Sequence, residues 1–458
     1  MSVGALAAGD SRLVEAPRQR VVNGGLVVAL GGLLLFALAL GVSLVVGRVS
    51  LGWPVVLMFG VGLLGSLALA TIRYDALVAL GVALLAVVQL EPAPSDLIFA
   101  VTIAVAFVTG RLARIPVAPS ILWLGTLFVA LNLLSAVEVV DAGRASFYLA
   151  ITLYVLVFAV WLAAYVDGAG RAALVAWMWI VAASLSAIAA SVALFLSLPG
   201  HELLLFEGER ARGLFKDPVV YGAFLVPPAL ITAERVVGPS DTRLRKLFGS
   251  AIFLTLALGV LLSYSRAAWL NLAVGLVVMA GVVAVRQGGS RRMVMLLAIV
   301  LVAAVAAAGT IRFTGSDDFL VQRTQLQQYD EQRFGAQLFG IEQSTRYPLG
   351  IGPGQFEVLA PLSAHSLYVR ALAEQGLLGL LVLVALLLVT LSLAVGNVIA
   401  GRDTYGIGSA ALLGAWCGLL ANSFFVDTLH WRHLWLVAAL IWAGSALTRS
   451  RAVWRPWA

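Results

Sequence analysis

Residues 376–396 read GLLGLLVLVALLLVTLSLAVG, a stretch of 21 positions without a single charged side chain. An α-helix needs about 20 consecutive apolar residues to cross the hydrocarbon core of a bilayer. Lipid tails offer no hydrogen-bond partners, so a lone crossing segment must satisfy its backbone internally, as a helix does. This stretch therefore predicts a membrane-spanning helix.

The rest of the chain repeats this pattern. Its 458 residues are 61% hydrophobic and 12% charged, with a mean hydropathy of +1.00, whereas soluble domains average about half apolar and about a quarter charged. The apolar runs lie at 21–46, 51–72, 74–90, 97–110, 117–137, 145–166, 172–198, 219–233, 248–263, 267–285, 293–310, 376–396, 405–425 and 434–448. Two of them, 97–110 and 219–233, are short enough to be half-helices or re-entrant. We predict an all-α, polytopic transmembrane helical bundle of about 12–14 spans.

The runs divide the chain into a bundle with one large loop region. The predicted parts are an N-terminal tail at 1–20, a first transmembrane part at 21–310, a loop region at 311–375, C-terminal helices at 376–448 and a tail at 449–458. The apolar spacing from Phe319 to Leu338 predicts that the loop region is partly helical, with an amphipathic helix on the membrane surface. The sequence Gly350-Ile351-Gly352-Pro353-Gly354 then predicts a tight turn.

The distribution of charge predicts the orientation. With the N-terminus inside, the inner segments carry 18 of the 30 Lys and Arg residues and 7 of the 23 Asp and Glu residues, a net charge of +11. The outer segments carry 12 basic and 16 acidic residues, a net charge of −4. Inner loops are expected to be enriched in Lys and Arg. Both termini are therefore predicted to be cytoplasmic, and the large loop region lies outside.

Several classes of function have no support in the sequence. The overall charge of +7 comes from arginines scattered between spans, so membrane orientation explains it better than nucleic-acid binding. The sequence contains no HExxH pattern and no carboxylate cluster of the kind that would indicate a catalytic metal. It also contains no Walker loop, the motif that would indicate ATP binding, so we expect no cofactor.

Three cations stand close together just before one predicted span. Arg210, Arg212 and Lys216 lie within the outer segment 209–218. Guanidinium groups bind phosphate oxygens through two parallel hydrogen bonds, and a lysine adds a mobile point charge. The group predicts a phosphate-binding site. The alternative is that these side chains reach towards lipid headgroups.

A fourth cation lies where two apolar runs almost touch. Ser263-Tyr264-Ser265-Arg266 joins them with hardly any loop. An arginine near the membrane interface is costly unless it faces a polar cavity or a partner. Arg266 is therefore a candidate for contact with a lipid-linked anion, or for a structural ion pair with a carboxylate.

The segment 365–376 adds a histidine shortly before the predicted span 376–396. Ser363 is a candidate helix cap, and on the helix it would start, His365, Tyr368 and Leu372 share one face. A neutral imidazole can remove a proton from a hydroxyl group. His365 is thus a candidate general base, although an inert interfacial histidine would have the same pattern. His430 and His433, together with Trp431 and Trp435, look instead like interface anchors.

Together these segments resemble a known family. The pattern His365-Ser366-x-Tyr368-x-x-x-Leu372-x-Glu374-x-Gly376-x-x-Gly379-Leu380 is similar to the signature of the O-antigen ligase family. The superfamily also contains O-antigen polymerases and some bacterial protein O-oligosaccharyltransferases. Supporting pieces follow the family's order: Arg210-x-x-Gly213-x-Phe215-x-x-Pro218, then Ser265-Arg266, then Arg333 through Pro348-x-Gly350-x-Gly352-x-Gly354-x-Phe356. The resemblance covers residues 200–425.

The resemblance implies a metal-independent, inverting glycosyltransferase of the bacterial inner membrane with a periplasmic active site. Its donor would be a glycan on undecaprenyl diphosphate, and its acceptor lipid A–core or another glycan. His365 would be the general base. Arg266, with Arg210 or Arg212, would bind the diphosphate, and Lys216 and Tyr368 would lie in the substrate site. Membrane lipids are the other expected partners.

Two other functions are alternatives to an O-antigen ligase. A polysaccharide polymerase of the same superfamily would use a second lipid-linked glycan as its acceptor. A lipid or glycan transporter would show ionisable residues in the middle of spans and related halves. Nearly all charges here lie at the ends of the apolar runs, and no half repeats the other.

Overall fold

The computed structural model describes residues 72–452, with short gaps at 90–91, 113–114, 197–198, 208–209, 239–241 and 361. A longer gap covers 288–327 except for two single positions, and a few isolated positions before residue 72 are also described. The predicted spans at 21–46 and 293–310, both tails in large part and the start of the loop region lie outside the described residues.

The described part of the chain is a helical bundle. Its α-helices are α1 Tyr74–Ala83, α2 Pro94–Val108, α3 Pro119–Ser135, α4 Ala142–Tyr165, α5 Ala169–Phe195, α6 Pro218–Val237, α7 Arg243–Leu262, α8 Arg266–Gln287, α9 Gln328–Arg346, α10 Phe356–Leu359, α11 Leu367–Ile399, α12 Ser409–Asn422 and α13 Arg432–Ala452. The described residues also form one two-stranded antiparallel sheet, β1 Leu205–Phe206 and β2 Arg210–Ala211, and short 3-10 turns at Leu84–Ala86, Ala136–Glu138 and His201–Leu204.

Six of these described helices, α4 to α8 and α11, are long and apolar enough to cross a membrane. The protein is therefore a multi-pass membrane protein with the predicted all-α fold. The predicted run 219–233 is a full-length helix of 20 residues rather than a half-helix. The run at 97–110 corresponds to the shorter α2, which has 15 residues and begins at Pro94.

Small residues let the central helices approach closely. A Cβ atom added to Gly414 on α12 would lie 2.5 Å from the carbonyl oxygen of Gly275 on α8. Apolar burial gives little drive for association in lipid, so bundles gain stability where backbones come near enough for dense packing. The α8–α12 contact, with α6 packed against both helices, forms the centre of the fold.

The predicted loop region is partly helical, as expected. Helix α9 places Ala336 and Gln343 in the protein interior, and its opposite face exposes Phe334, Leu338 and Ile341. The predicted turn at 350–354 is also present, because Gly350, Gly352 and Gly354 all have positive φ angles.

Helix α11 begins at Leu367, before the position predicted from the apolar run alone. Gly376 interrupts it with a φ of 70° and marks the start of the predicted span. The polar segment 367–375 is thus a helical extension of the span. Together with the N-termini of α6 and α8 and with the β1–β2 hairpin, it defines what we call the hairpin end of the bundle. The C-termini of α2 and α4 lie at the opposite end.

Candidate functional site

Of the two candidate arginines of the 209–218 segment, Arg210 lies on β2 of the hairpin and Arg212 directly follows this strand. Arg210 pairs with Phe206 across the two strands, and the guanidinium carbons of Arg210 and Arg212 lie 5.7 and 5.9 Å from the centroid of the Phe206 ring. The backbone amides of Arg212 and Gly213 both donate to the carbonyl of Leu204 at 3.0 Å. The hairpin therefore holds two guanidinium groups against one aromatic ring.

Buried aromatic side chains anchor the segment after the hairpin. Phe215 is buried against Tyr221 and Phe224 on α6. Asp217 caps the same helix, because its carboxylate accepts from the amide of Val219 at 2.6 Å. Lys216, between these two residues, is exposed. The anchoring fixes the hairpin relative to the start of α6.

The hairpin is bonded directly to the turn that carries Arg266. Nε of Arg210 donates to the carbonyl of Ser263 at 3.1 Å. Tyr264 has a φ of 48°, and Ser265 accepts from the amide of Ala268 within the first turn of α8. Arg266, half-buried, is the first residue of that helix. The structure thus brings the two predicted cation groups to one place.

Arg212 has an unusual environment. Its Nε is buried and, among the described residues, has no hydrogen-bond partner. A buried donor without an acceptor costs free energy comparable to a lost hydrogen bond, so such atoms are rare. Sequence alone left open which of Arg210 and Arg212 would face a ligand. Arg210 already uses its Nε on Ser263, which makes Arg212 the stronger candidate.

His365 lies just outside α11 in a left-handed backbone conformation, with a φ of 45°. The predicted cap at Ser363 is wrong, because Ser366 is the N-cap and accepts from the amide of Val369 at 3.4 Å. His365 therefore precedes the helix and does not share a helical face with Tyr368 and Leu372. The hydroxyl of Tyr368 donates to the carbonyl of Leu420 at 3.1 Å.

Helix α9 packs against the segment that carries His365. The side-chain amide of Gln337 donates to the carbonyl of His365 at 3.5 Å, and Arg333 donates to the carbonyl of Phe425. The amide of Leu367 donates to the carbonyl of Ser423 at 3.0 Å. His365 is thus held between α9 above it and the loop after α12 beside it.

Charged groups from three elements act on the imidazole of His365. Burial, followed by the neighbouring Arg333, lowers its pKa from 6.5 to about 4, while Asp217 and Asp427 oppose the shift. The imidazole is consequently neutral at pH 7 and can accept a proton.

Asp427 was not predicted from the sequence, and it belongs to a buried network of charges. Arg370 is 3% exposed, and its guanidinium lies between Asp427, Glu374 and Glu357. Glu357 also pairs with Arg144 on α4 at 3.0 Å. The network ties the start of α11 to α4, α10 and the loop beside His365. Only Arg370 and Glu374, four residues apart on α11, have a spacing that indicates a contact, because the other members are far apart in sequence.

The histidines near Trp431 are not interface anchors. His433 and Trp435 are buried in the bundle, where His433 packs against Phe224. Nε2 of His430 lies 3.0 Å from Oγ1 of Thr152, whose hydroxyl donates to the carbonyl of Tyr148. That arrangement makes His430 the donor to Thr152. Burial lowers the pKa of His430 to about 4, so it is neutral as well.

The chain matches no protein-family model and no curated protein sequence. Within the part of the chain that the structure describes, no three His, Cys, Asp or Glu residues are grouped to hold a metal ion. The arrangement offers a neutral histidine, a cluster of guanidinium groups and the N-termini of two helices, whose dipoles favour anions. It can bind a phosphorylated ligand and accept a proton beside it.

Proposed function

We propose that the protein is a membrane glycosyltransferase that moves a glycan from undecaprenyl diphosphate to an acceptor hydroxyl, as an O-antigen ligase does. One observation carries the proposal. The amide of Leu367, two residues after His365, donates to Ser423 at the end of α12, and Gly418 near that end packs against Asn271 in the second turn of α8. The turn before α8 accepts from Arg210. A proton acceptor and a phosphate-binding cluster therefore occupy the same end of the bundle.

In the proposed reaction, the acceptor hydroxyl oxygen attacks the anomeric carbon of the donor glycan. His365 takes the hydroxyl proton as the new glycosidic bond forms. The bond between the anomeric carbon and the diphosphate breaks, and its electron pair goes to the phosphate oxygen, which leaves as undecaprenyl diphosphate. A direct displacement of this kind inverts the anomeric configuration.

The environment of His365 suits this role once a donor is bound. A base with a pKa near 4 is weak, and general bases act best with a pKa near the working pH. A diphosphate placed at the neighbouring arginines adds negative charge, which raises the pKa of the imidazole. Donor binding would therefore strengthen the base where it is needed.

The arginines supply the other half of the chemistry. A diphosphate leaving group gains negative charge as the bond breaks. Hydrogen-bond donors that are already fixed in place stabilise that charge without reorganising. Arg212, with its unsatisfied Nε, and Arg266, at the N-terminus of α8, are the side chains we assign to the diphosphate. Arg210 orders the turn before Arg266 through its hydrogen bond to Ser263. The exposed Lys216 adds positive charge to the same segment as Arg210 and Arg212.

The proposed location follows from the charge count. With both termini in the cytoplasm of a bacterial inner membrane, the hairpin end faces the periplasm, and the donor lipid would lie beside it. The buried Arg370 and Glu374 lie in the part of α11 that precedes Gly376, where the predicted span begins. A transporter would need such charges in the middle of its spans.

Transfer in a defined membrane tests the proposal. Purified full-length protein is incorporated into vesicles with a short glycan on undecaprenyl diphosphate and lipid A–core, and the glycan-bearing product is separated by gel. We expect transfer to lipid A–core in the presence of EDTA. His365→Gln should abolish transfer, whereas His201→Gln, in the short turn before the hairpin, should retain it.

The acceptor decides between the related activities. Lengthening of the donor glycan without lipid A–core would identify a polymerase. The proposal of glycosyl transfer fails if neither product forms, or if His365→Gln transfers the glycan at the wild-type rate.

A further inference from the structure

A cavity of about 410 Å³ opens at the end of the bundle opposite the hairpin. Its walls come from the start of α1, the C-termini of α2 and α4, and the start of α5. A second cavity, of about 490 Å³, shares Arg111, Ala164 and Asp167 with it. Both volumes lie in the range of about 300–1,000 Å³ that is typical of small-ligand sites.

The aromatic wall of the first cavity has its polar groups paired internally. The indole of Trp161 donates to the hydroxyl of Tyr74 at 2.9 Å, and that hydroxyl donates to the carbonyl of Thr102 at 2.9 Å. The hydroxyl of Tyr165 donates to Asp75 at 3.0 Å. The rings of Trp161 and Tyr165 are stacked. The wall is therefore rigid, and its polar groups need no ligand as a hydrogen-bond partner.

The two arginines of the cavity differ in their partners. Arg171 lies 2.8 Å from Asp167 and 3.3 Å from Asp75, so two carboxylates balance its charge. Arg111 lies over the ring of Tyr74, with 4.2 Å from its guanidinium carbon to the centroid. Among the described residues, no carboxylate pairs with Arg111. The cavity thus presents one guanidinium that contacts an aromatic ring and, among the described residues, forms no ion pair.

The surroundings of the cavity indicate the class of ligand. Phe107 follows the lining residue Ala106, Ile72 lies two residues before the lining residue Tyr74, and both apolar side chains are 76% exposed. The charge count assigns this end to the cytoplasm, where anionic lipids attract basic groups, and basic pockets between spans at that side bind phosphate headgroups. We propose that the cavity binds one anionic phospholipid, with its phosphate on Arg111 and its acyl chains along the exposed apolar surface.

Counting retained lipids tests this site. Full-length protein is equilibrated with phosphatidylglycerol or phosphatidylcholine, and bound lipid is measured by native mass spectrometry across a titration. We expect one phosphatidylglycerol with an affinity well above that for phosphatidylcholine. Arg111→Gln should weaken this binding about tenfold, because a charge-assisted phosphate contact is lost. Arg243→Gln, an exposed cation at the start of α7, is the matched control.

A second variant leaves every charge in place. Ala164 lines both cavities, so Ala164→Leu should reduce lipid binding by filling the space. Competition with inorganic phosphate separates a lipid site from a site for a soluble anion. The proposal is overturned if Arg111→Gln and Arg243→Gln bind phosphatidylglycerol equally, if Ala164→Leu binds it as the wild type does, or if millimolar phosphate displaces it.

Discussion

Nε of Arg370 lies 2.8 Å from Oδ2 of Asp427, and this buried ion pair joins the first turn of α11 to the loop beside His365. Asp427 also raises the pKa of His365, so the same carboxylate serves the network and the imidazole. Arg370 therefore fixes a charge that acts on the candidate base without touching the base itself.

Arg370→Met should destabilise the protein strongly. The change leaves Glu374 and Asp427 buried beside an apolar side chain, and breaking a buried pair in this way costs about 3–5 kcal/mol. Arg346→Met is the control, because Arg346 and its partner Glu342 are 64% and 56% exposed. An exposed pair contributes less than about 1 kcal/mol. Thermal and denaturant unfolding in detergent compares the two, and equal losses would contradict a structural role for the network.

The acid limb of the transfer reaction should report the protonation of His365. Its pKa is lowered to about 4, so kcat/KM should rise through that pH and stay level up to neutrality. Arg333→Gln removes a cation that lowers the pKa, and the limb should move to higher pH. Asp217→Asn removes an anion that raises it, and the limb should move to lower pH. Shifts in the same direction for both variants would rule out His365 as the titrating group.

Arg212 and Arg210 should differ in what their loss affects. Arg212→Gln removes the guanidinium that we assign to the diphosphate, so binding of the glycan donor should weaken about tenfold to a hundredfold while the unfolding temperature changes little. Arg210→Gln breaks the hydrogen bond to Ser263, and both donor binding and thermal stability should fall. Titration with labelled undecaprenyl diphosphate, alongside unfolding curves, separates the two effects. The assignment of Arg212 to the diphosphate fails if its variant binds the donor normally.

Gly350→Ala should destabilise the turn that supports α11. Gly350 has a φ of 90°, and an added Cβ would lie 2.3 Å from the backbone oxygen of Glu374. The strained φ together with the clash should cost at least about 2 kcal/mol. Gly335→Ala is the matched change, since Gly335 has open space within α9. There the substitution should stabilise the helix by about 0.5–1 kcal/mol, as Ala is the better helix former. Denaturant titration distinguishes a loss from a gain.

Much of the fold was predictable because the bilayer imposes a simple rule on the sequence. Every crossing segment must be a helix of about 20 apolar residues, and the runs at 145–166 and 267–285 correspond to α4 and α8. The positive φ angles at Gly350, Gly352 and Gly354 likewise belong to the turn that the glycine spacing predicted.

The start of α11 was predictable only in part. Apolar content identified the span after Gly376, and the helix predicted from a cap at Ser363 covers the polar segment before it. That helix begins later than predicted, because Ser366 is the residue that caps it. His433 and Trp435 resembled interface anchors, because the sequence does not show which side chains of α13 pack into the core.

The sequence by itself determined the helices and the candidate cations, since both follow from side-chain chemistry along one segment. Tertiary structure alone decided which of them meet. Arg210 reaches Ser263 from 53 positions away, and Arg370 reaches Asp427 across the whole of α11 and α12. Such contacts depend on how helices are arranged in the bundle, and local spacing holds no record of that arrangement.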